Sequence, residues 1–233
     1  MRHSSSRIYD IIKNEFLGWH RWEILWLLFT STAVGIIASL YKDSLTAITA
    51  AICGISASVL TGKGKLSAYI IGGTGRVLYA LIALKACFYG EVMLNLLYFV
   101  PMEFYGIYVW SRNMDQGTHE VKKKSMNRRQ TALLGIIVAA ATASYAFWLR
   151  YLGGKLPLLD SFTNAVSIIA MIVTIKRYAQ TWILWLMVNT VSIIMWTISC
   201  LHGTGSPAIL LMWCIYLANS VIMLIKWMHG AEK

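Results

Sequence analysis

TWILWLMVNTVSIIMWTISCL, residues 181–201, holds no charged side chain over the length a helix needs to cross about 30 Å of hydrocarbon. Seven further predominantly apolar runs fill most of the chain. They lie at Trp22 to Tyr41, Ser44 to Gly62, Leu66 to Phe88, Val92 to Ser111, Thr131 to Trp148, Ser161 to Ile175 and Pro207 to Ile225. Across 233 residues the composition is 58% hydrophobic and 13% charged, where a soluble domain carries about a quarter charged residues. The excess apolar surface needs lipid to face, so the expected class is an all-α integral membrane protein with eight spans.

The charge pattern orients the spans. The net charge is +11, but Lys and Arg are concentrated in the short gaps between apolar runs, where they act as topology signals. With eight spans, 16 of the 21 Lys and Arg residues fall on one side and 4 on the other, with Arg76 inside a span. The rich side is read as cytoplasmic, which places both termini there in a multi-pass protein of a bacterial inner (plasma) membrane. No basic stripe interleaved with exposed aromatics marks a nucleic-acid surface. Ile8 to His20 mixes apolar and charged residues as an interfacial helix does, and no cleavage site is expected after it.

The polar, basic stretch Asn113 to Gln130 divides the chain into comparable halves. An offset of 117 residues lays spans two to four on spans six to eight, matching Asp43 with Asp160, Ser44 with Ser161, Thr46 with Thr163 and Trp110 with Trp227. Four spans separate equivalent positions, so equivalent helices point the same way. The expected architecture is two parallel three-helix bundles joined by an inverting linker helix, 3+1+3, plus one extra N-terminal helix. Such repeats are common in transporters. The corresponding modules are residues 1–42, 43–112, 113–159, 160–228 and a tail at 229–233.

Polar groups inside these spans are the candidate site. Trp182, Trp185, Asn189, Ser192 and Trp196 recur every three or four residues and share one face of the seventh helix. Such a face suits a flat aromatic ligand, although an interfacial belt for Trp182 and a helix contact for Asn189 explain the pattern too. In the fourth span Asn95, Tyr98, Pro101 and Glu103 stand together. Glu103 either pairs with Arg76 at similar depth or meets substrate hydroxyls or a proton, and Pro101 can kink the helix beside it. Asn219 sits one residue from the repeat match to Glu103. Asp43 and Asp160 read as helix caps, with Asn164 deep enough to reach a ligand.

Catalytic and metal constellations are not expected: the five histidines fall at span ends and loops, and Gly72, Gly73 and Gly75 suit helix packing better than phosphate binding. Cys53, Cys87, Cys200 and Cys214 are isolated within apolar runs. No cofactor is expected, and an enzyme is not the reading. A purely structural membrane protein leaves Glu103, Asn189 and Asn219 unexplained.

Tyr105-Gly106-Ile107-Tyr108-Val109-Trp110, Asp160-Ser161, Lys176-Arg177-Tyr178 and Trp182-Ile183-Leu184-Trp185 with Asn189 together resemble the PnuC-type nicotinamide riboside transporters. The resemblance runs from about Asp43 to Trp227 and implies a fold akin to sugar-transporting SWEET proteins, with substrate held between the bundles. It also implies import of nicotinamide riboside, a form of vitamin B3, by facilitated diffusion, with a cytosolic riboside kinase making uptake one-way and feeding NAD biosynthesis. Its pattern assigns Trp182, Trp185 and Asn189 to the site. Homo-oligomeric assembly in the bilayer is expected. A SWEET-like carrier of another riboside or sugar, ion-coupled or not, is the alternative.

Overall fold

The computed structural model describes residues 13, 15–42, 44–85, 92–151, 157–201 and 207–231. A helix occupies each expected span: α1 (Arg21–Leu40), α2 (Leu45–Lys63), α3 (Ser67–Lys85), α4 (Val100–Ser111, preceded by a π-helical turn at Leu94–Phe99), α5 (Arg128–Tyr151), α6 (Pro157–Ile175), α7 (Thr181–Leu201) and α8 (Pro207–Gly230). Among the described residues, α1, α2, α5, α7 and α8 are long and apolar enough to cross a membrane on their own. The other three depart for visible reasons. The apolar stretch of α6, Ser161–Ile175, is short, α3 carries Arg76, and α4 carries Glu103 after an irregular turn.

That turn follows from Pro101, which has no N–H to donate and whose ring crowds the preceding turn. The backbone widens, and the Val100 N–H reaches Asn95 O five residues back. Ser44 caps α2, its hydroxyl accepting from Ala47 N at 3.2 Å; Asp43, the residue expected to cap, lies outside the described residues. At the other end Gly64 adopts φ +83° and its N–H returns to Leu60 O at 2.9 Å, the left-handed stop that glycine makes cheaply.

The chain divides into two compact units, Met1–Lys122 and Lys123–Lys233. In the first, the basic linker folds back on its own unit. Met114 bridges Val121, and Val121 N donates to Gly64 O at 2.9 Å in the α2–α3 loop. Asp115 anchors this turn, and N–H groups of Thr118 and Gly117 hold its carboxyl below the usual carboxylate range. The segment before α1 reaches the same loop: Glu15 accepts from Leu66 N and Ser67 N at 3.1 Å each and from the Ser67 hydroxyl. The interfacial-helix reading of Ile8 to His20 mostly falls outside the described residues; within them, the chain turns at Gly18 with φ +74°.

In the second unit the remaining linker does the equivalent thing. Lys124 N donates to Arg177 O, and Ala179 N to Lys124 O, both at 2.8 Å, in the α6–α7 loop. Each part of the linker therefore lies against one loop of its own unit, α2–α3 in the first and α6–α7 in the second. Val138, Val166, Ala170, Val173, Leu184 and Val188 form the core that α5, α6 and α7 share.

Candidate functional site

In the first unit, Glu103 is buried and Arg76 Nε donates to its Oε1 at 2.6 Å. The Arg76 guanidinium also lies 3.9 Å over the Phe99 ring, so the π-helical turn places an aromatic face on this cation. Tyr98 packs edge-on against Phe99 at 5.1 Å, and Asn95 is buried on the same turn. The carboxylate thus meets the arginine, the structural one of its two readings, and Asn95 and Tyr98 stand on the turn that supplies Phe99.

Close packing makes this possible. A Cβ on Gly72 would stand 3.3 Å from Glu103 Oε1, and one on Gly75 would stand 3.0 Å from Cys53 Cβ. Gly106 is tighter still: a Cβ there would fall 2.2 Å from the Tyr69 ring, which is buried edge-on against Trp110 at 4.8 Å. The glycine of the Tyr105-Gly106 motif is therefore a seat for Tyr69.

In the second unit, α7 presents the tryptophan and asparagine face. Trp182 is 2% exposed, so it is a core residue rather than part of a belt, and it meets the fully buried Trp227 edge-on at 5.8 Å. Its Nε1 is buried with no partner among the described residues. Trp185 is half-buried, and its Nε1 donates to Thr174 Oγ1 at 3.3 Å. Thr174 in turn lies 2.6 Å from Thr181 Oγ1, and both hydroxyls reach Ala170 O. Asn189 is buried and its Nδ2 donates to Ser220 Oγ at 3.0 Å on α8, beside the fully buried Asn219. Asn164 on α6 and Trp196 farther along α7 are half-buried. Asp160, expected to cap α6, lies inside that helix, which begins at Pro157; its side chain lies outside what is described.

Sequence reading missed Ser220, Thr174 and Thr181. Small hydroxyls in apolar helices carry no signal of their own, because the same residues often bond only their own helix. The repeat offset was the available clue. It pairs Glu103 with Ser220 and Gly72 with Asn189. In the first unit the large polar group comes from α4 and meets glycine; in the second it comes from α7 and meets serine. Trp110 and Trp227, matched by the same offset, each meet an aromatic ring of their own unit edge-on, Tyr69 and Trp182, although those two partners are not matched to one another.

The sequence model of a family described as "Nicotinamide mononucleotide transporter" matches residues 44–229. A Neisseria mucosa protein named nicotinamide riboside transporter PnuC is 39% identical, over 91% of this chain and 82% of its own. The chain is a member of the PnuC family. A PnuC of Haemophilus influenzae is 32% identical over 93% of this chain and 94% of that one. A solved structure titled "Crystal structure of the Vitamin B3 transporter PnuC" superimposes with TM-score 0.83 at 37% identity, covering 94% of this chain and 96% of that one. This PnuC member is accordingly a multi-pass membrane transporter rather than an enzyme. The family match begins at Ser44, the α2 cap, and leaves α1 outside it.

Proposed function

We propose that this chain imports nicotinamide riboside by facilitated diffusion, with the α7 face of Trp182, Trp185 and Asn189 as the centre of recognition. The observation that carries this reading is the composition of that face: half-buried and buried indoles beside a buried amide held by Ser220. The pyridinium of the riboside suits indole faces, its carboxamide suits Asn189, and its ribose suits the hydroxyls and amides nearby. The unpartnered Nε1 of Trp182 is a further donor, since buried indole N–H groups normally find an acceptor. Asn164, Asn219 and Trp196 extend the same site in the second unit; Asn95, Tyr98 and Glu103 are the first unit's own candidate recognition groups. The names of the relatives print the riboside while the family description prints the mononucleotide. The riboside is favoured because the α7 groups are neutral, whereas a phosphate calls for a cation, and Arg76 is committed to Glu103.

Uptake is made one-way by a cytosolic riboside kinase, and the carrier works as a homo-oligomer in the inner membrane. Its architecture is 3+1+3 with α1 additional, α5 the inverting linker, and boundaries near residues 42, 112, 159 and 228. The offset that lays Trp110 on Trp227, Glu103 on Ser220 and Gly72 on Asn189 supports this arrangement.

Flux in kinase-free vesicles tests the energetics. Initial riboside entry should be unchanged by collapsing the proton or sodium gradient, and nicotinamide mononucleotide should compete poorly. Accumulation above the external level, abolished by an uncoupler and by Glu103→Gln, would establish an ion-coupled carrier instead.

Orientation has its own test. Gly117 is exposed and a Cβ there would meet only Asp115 Oδ1, at 3.4 Å, so Gly117→Cys should fold. With the termini cytoplasmic, this cysteine resists an impermeant thiol reagent in intact cells, while one at Gly153 reacts. Equal labelling rates would reverse or void the topology.

A further inference from the structure

Between α5, α6 and α7 the second unit has a groove of about 470 Å³, and an adjoining hollow of about 340 Å³ shares Phe162 and Met187 with it. On α5 the lining runs through Thr131, Gly135, Val138 and Thr142, a spacing of three and four that keeps one helical face. Arg128 stands three residues before Thr131 and continues that stripe beyond the groove. From Thr131 to Ala143 the helix rises about 18 Å, comparable with one leaflet of a bilayer whose hydrocarbon is about 30 Å thick.

The lining is almost wholly apolar, so the groove does not suit ribose hydroxyls and is separate from the tryptophan and asparagine contacts on α7. This chain's own packing does not need the glycine: a Cβ on Gly135 would meet nothing within 4 Å. The end of the groove is strongly basic. Arg128 and Arg129 are exposed, and neither joins the ion pairs found among the described residues. Lys124 and Lys176 are exposed at the same end, because the backbone of Lys124 pairs with Arg177 and Ala179. Gln180, which lines the mouth, fixes this end by accepting from Met126 N at 3.0 Å and donating to Ser125 Oγ at 3.2 Å.

A one-leaflet apolar slot ending in four cations is complementary to an anionic lipid. We infer that the groove holds an acyl chain of an anionic phospholipid whose phosphate is met by Arg128 and Arg129. Arginine forks match phosphate oxygens, and basic residues at helix ends are a usual place for acidic headgroups. Neither the riboside nor the direction of transport enters this inference.

Native mass spectrometry of the full chain in detergent, titrated with dioleoylphosphatidylglycerol, reads the site without measuring transport. Phosphatidylglycerol should bind at least threefold more strongly than dioleoylphosphatidylcholine. Arg128→Gln with Arg129→Gln should lower its occupancy threefold or more by removing the headgroup arm, and Gly135→Leu should do the same by filling the slot. Ala139→Phe, exposed in the same groove, serves if Gly135→Leu is not monodisperse. Inorganic phosphate at millimolar concentration should not displace the lipid. Equal occupancy by the two lipids, displacement by free phosphate, or unchanged occupancy in the groove-filling variants would each overturn the inference. A groove-filling variant that changes oligomer size while lipid count stays constant would assign the groove to a second copy of this chain and overturn it as well.

Discussion

Asn189→Leu is expected to weaken riboside binding by about tenfold or more while leaving a monodisperse protein. The change keeps bulk in a buried position and deletes an amide. Losing a hydrogen-bonding group from a buried site costs about 1–3 kcal/mol, and the Ser220 hydroxyl loses its 3.0 Å donor at the same time. Ser220→Ala separates the two effects, since it removes that bond but keeps the amide. It should cost much less affinity than Asn189→Leu. Trp185→Ala removes an aromatic face contributing about 0.5–2 kcal/mol to a bound cation, and Trp185→Phe should lose less. Trp26→Ala on α1 is the control. In calorimetric titrations of these proteins, comparable affinities for Asn189→Leu, Trp185→Ala and Trp26→Ala would sink the assignment of α7; equal losses in Asn189→Leu and Ser220→Ala would make the amide a positioning group.

The largest loss of stability is expected at Lys63. Its ammonium, 1% exposed, lies 2.7 Å from Glu23 of α1 and 2.8 Å from Glu120 of the linker turn. Glu23 also accepts from His20 N at 2.9 Å, which ties the start of α1 into the same cluster. Removing one member of a buried ionic group leaves uncompensated charge and typically costs about 3–5 kcal/mol. Lys63→Met strands two carboxylates and should lower the thermal midpoint in detergent by several degrees. Adding Glu23→Gln and Glu120→Gln should recover most of the loss, because a group replaced as a whole leaves no buried charge behind. A single variant melting within a degree of the parent would show that solvent reaches the cluster and carries the charge.

Lys63 and Lys65 also show where sequence reading stopped. Both count toward the charge asymmetry, and nothing in their spacing distinguishes a solvated topology signal from a buried one. Folded, Lys63 bridges α1 and the linker, and Lys65 Nζ donates to Leu17 O and His119 O at 2.8 Å each; burial pushes this amine below the usual lysine range. Their partners lie 40 to 57 residues away in sequence. The Glu103–Arg76 pair was easier to anticipate, because a carboxylate and a guanidinium at similar depth in lipid have few other ways to be satisfied.

What sequence alone determined was the class of the molecule and where its apolar helices lie, because a helix is the cheapest way to satisfy a backbone in hydrocarbon and its length shows directly as an apolar run. It also determined which face of α7 carries tryptophan and asparagine, since helical periodicity is a local property. Tertiary structure decided the partners. That Asn189 bonds Ser220, that Trp185 reaches Thr174, and that Gly106 exists to seat Tyr69 all depend on how neighbouring helices cross. Hydrophobicity, which lipid offers equally to every apolar face, does not encode that crossing; close packing and hydrogen bonds between helices do.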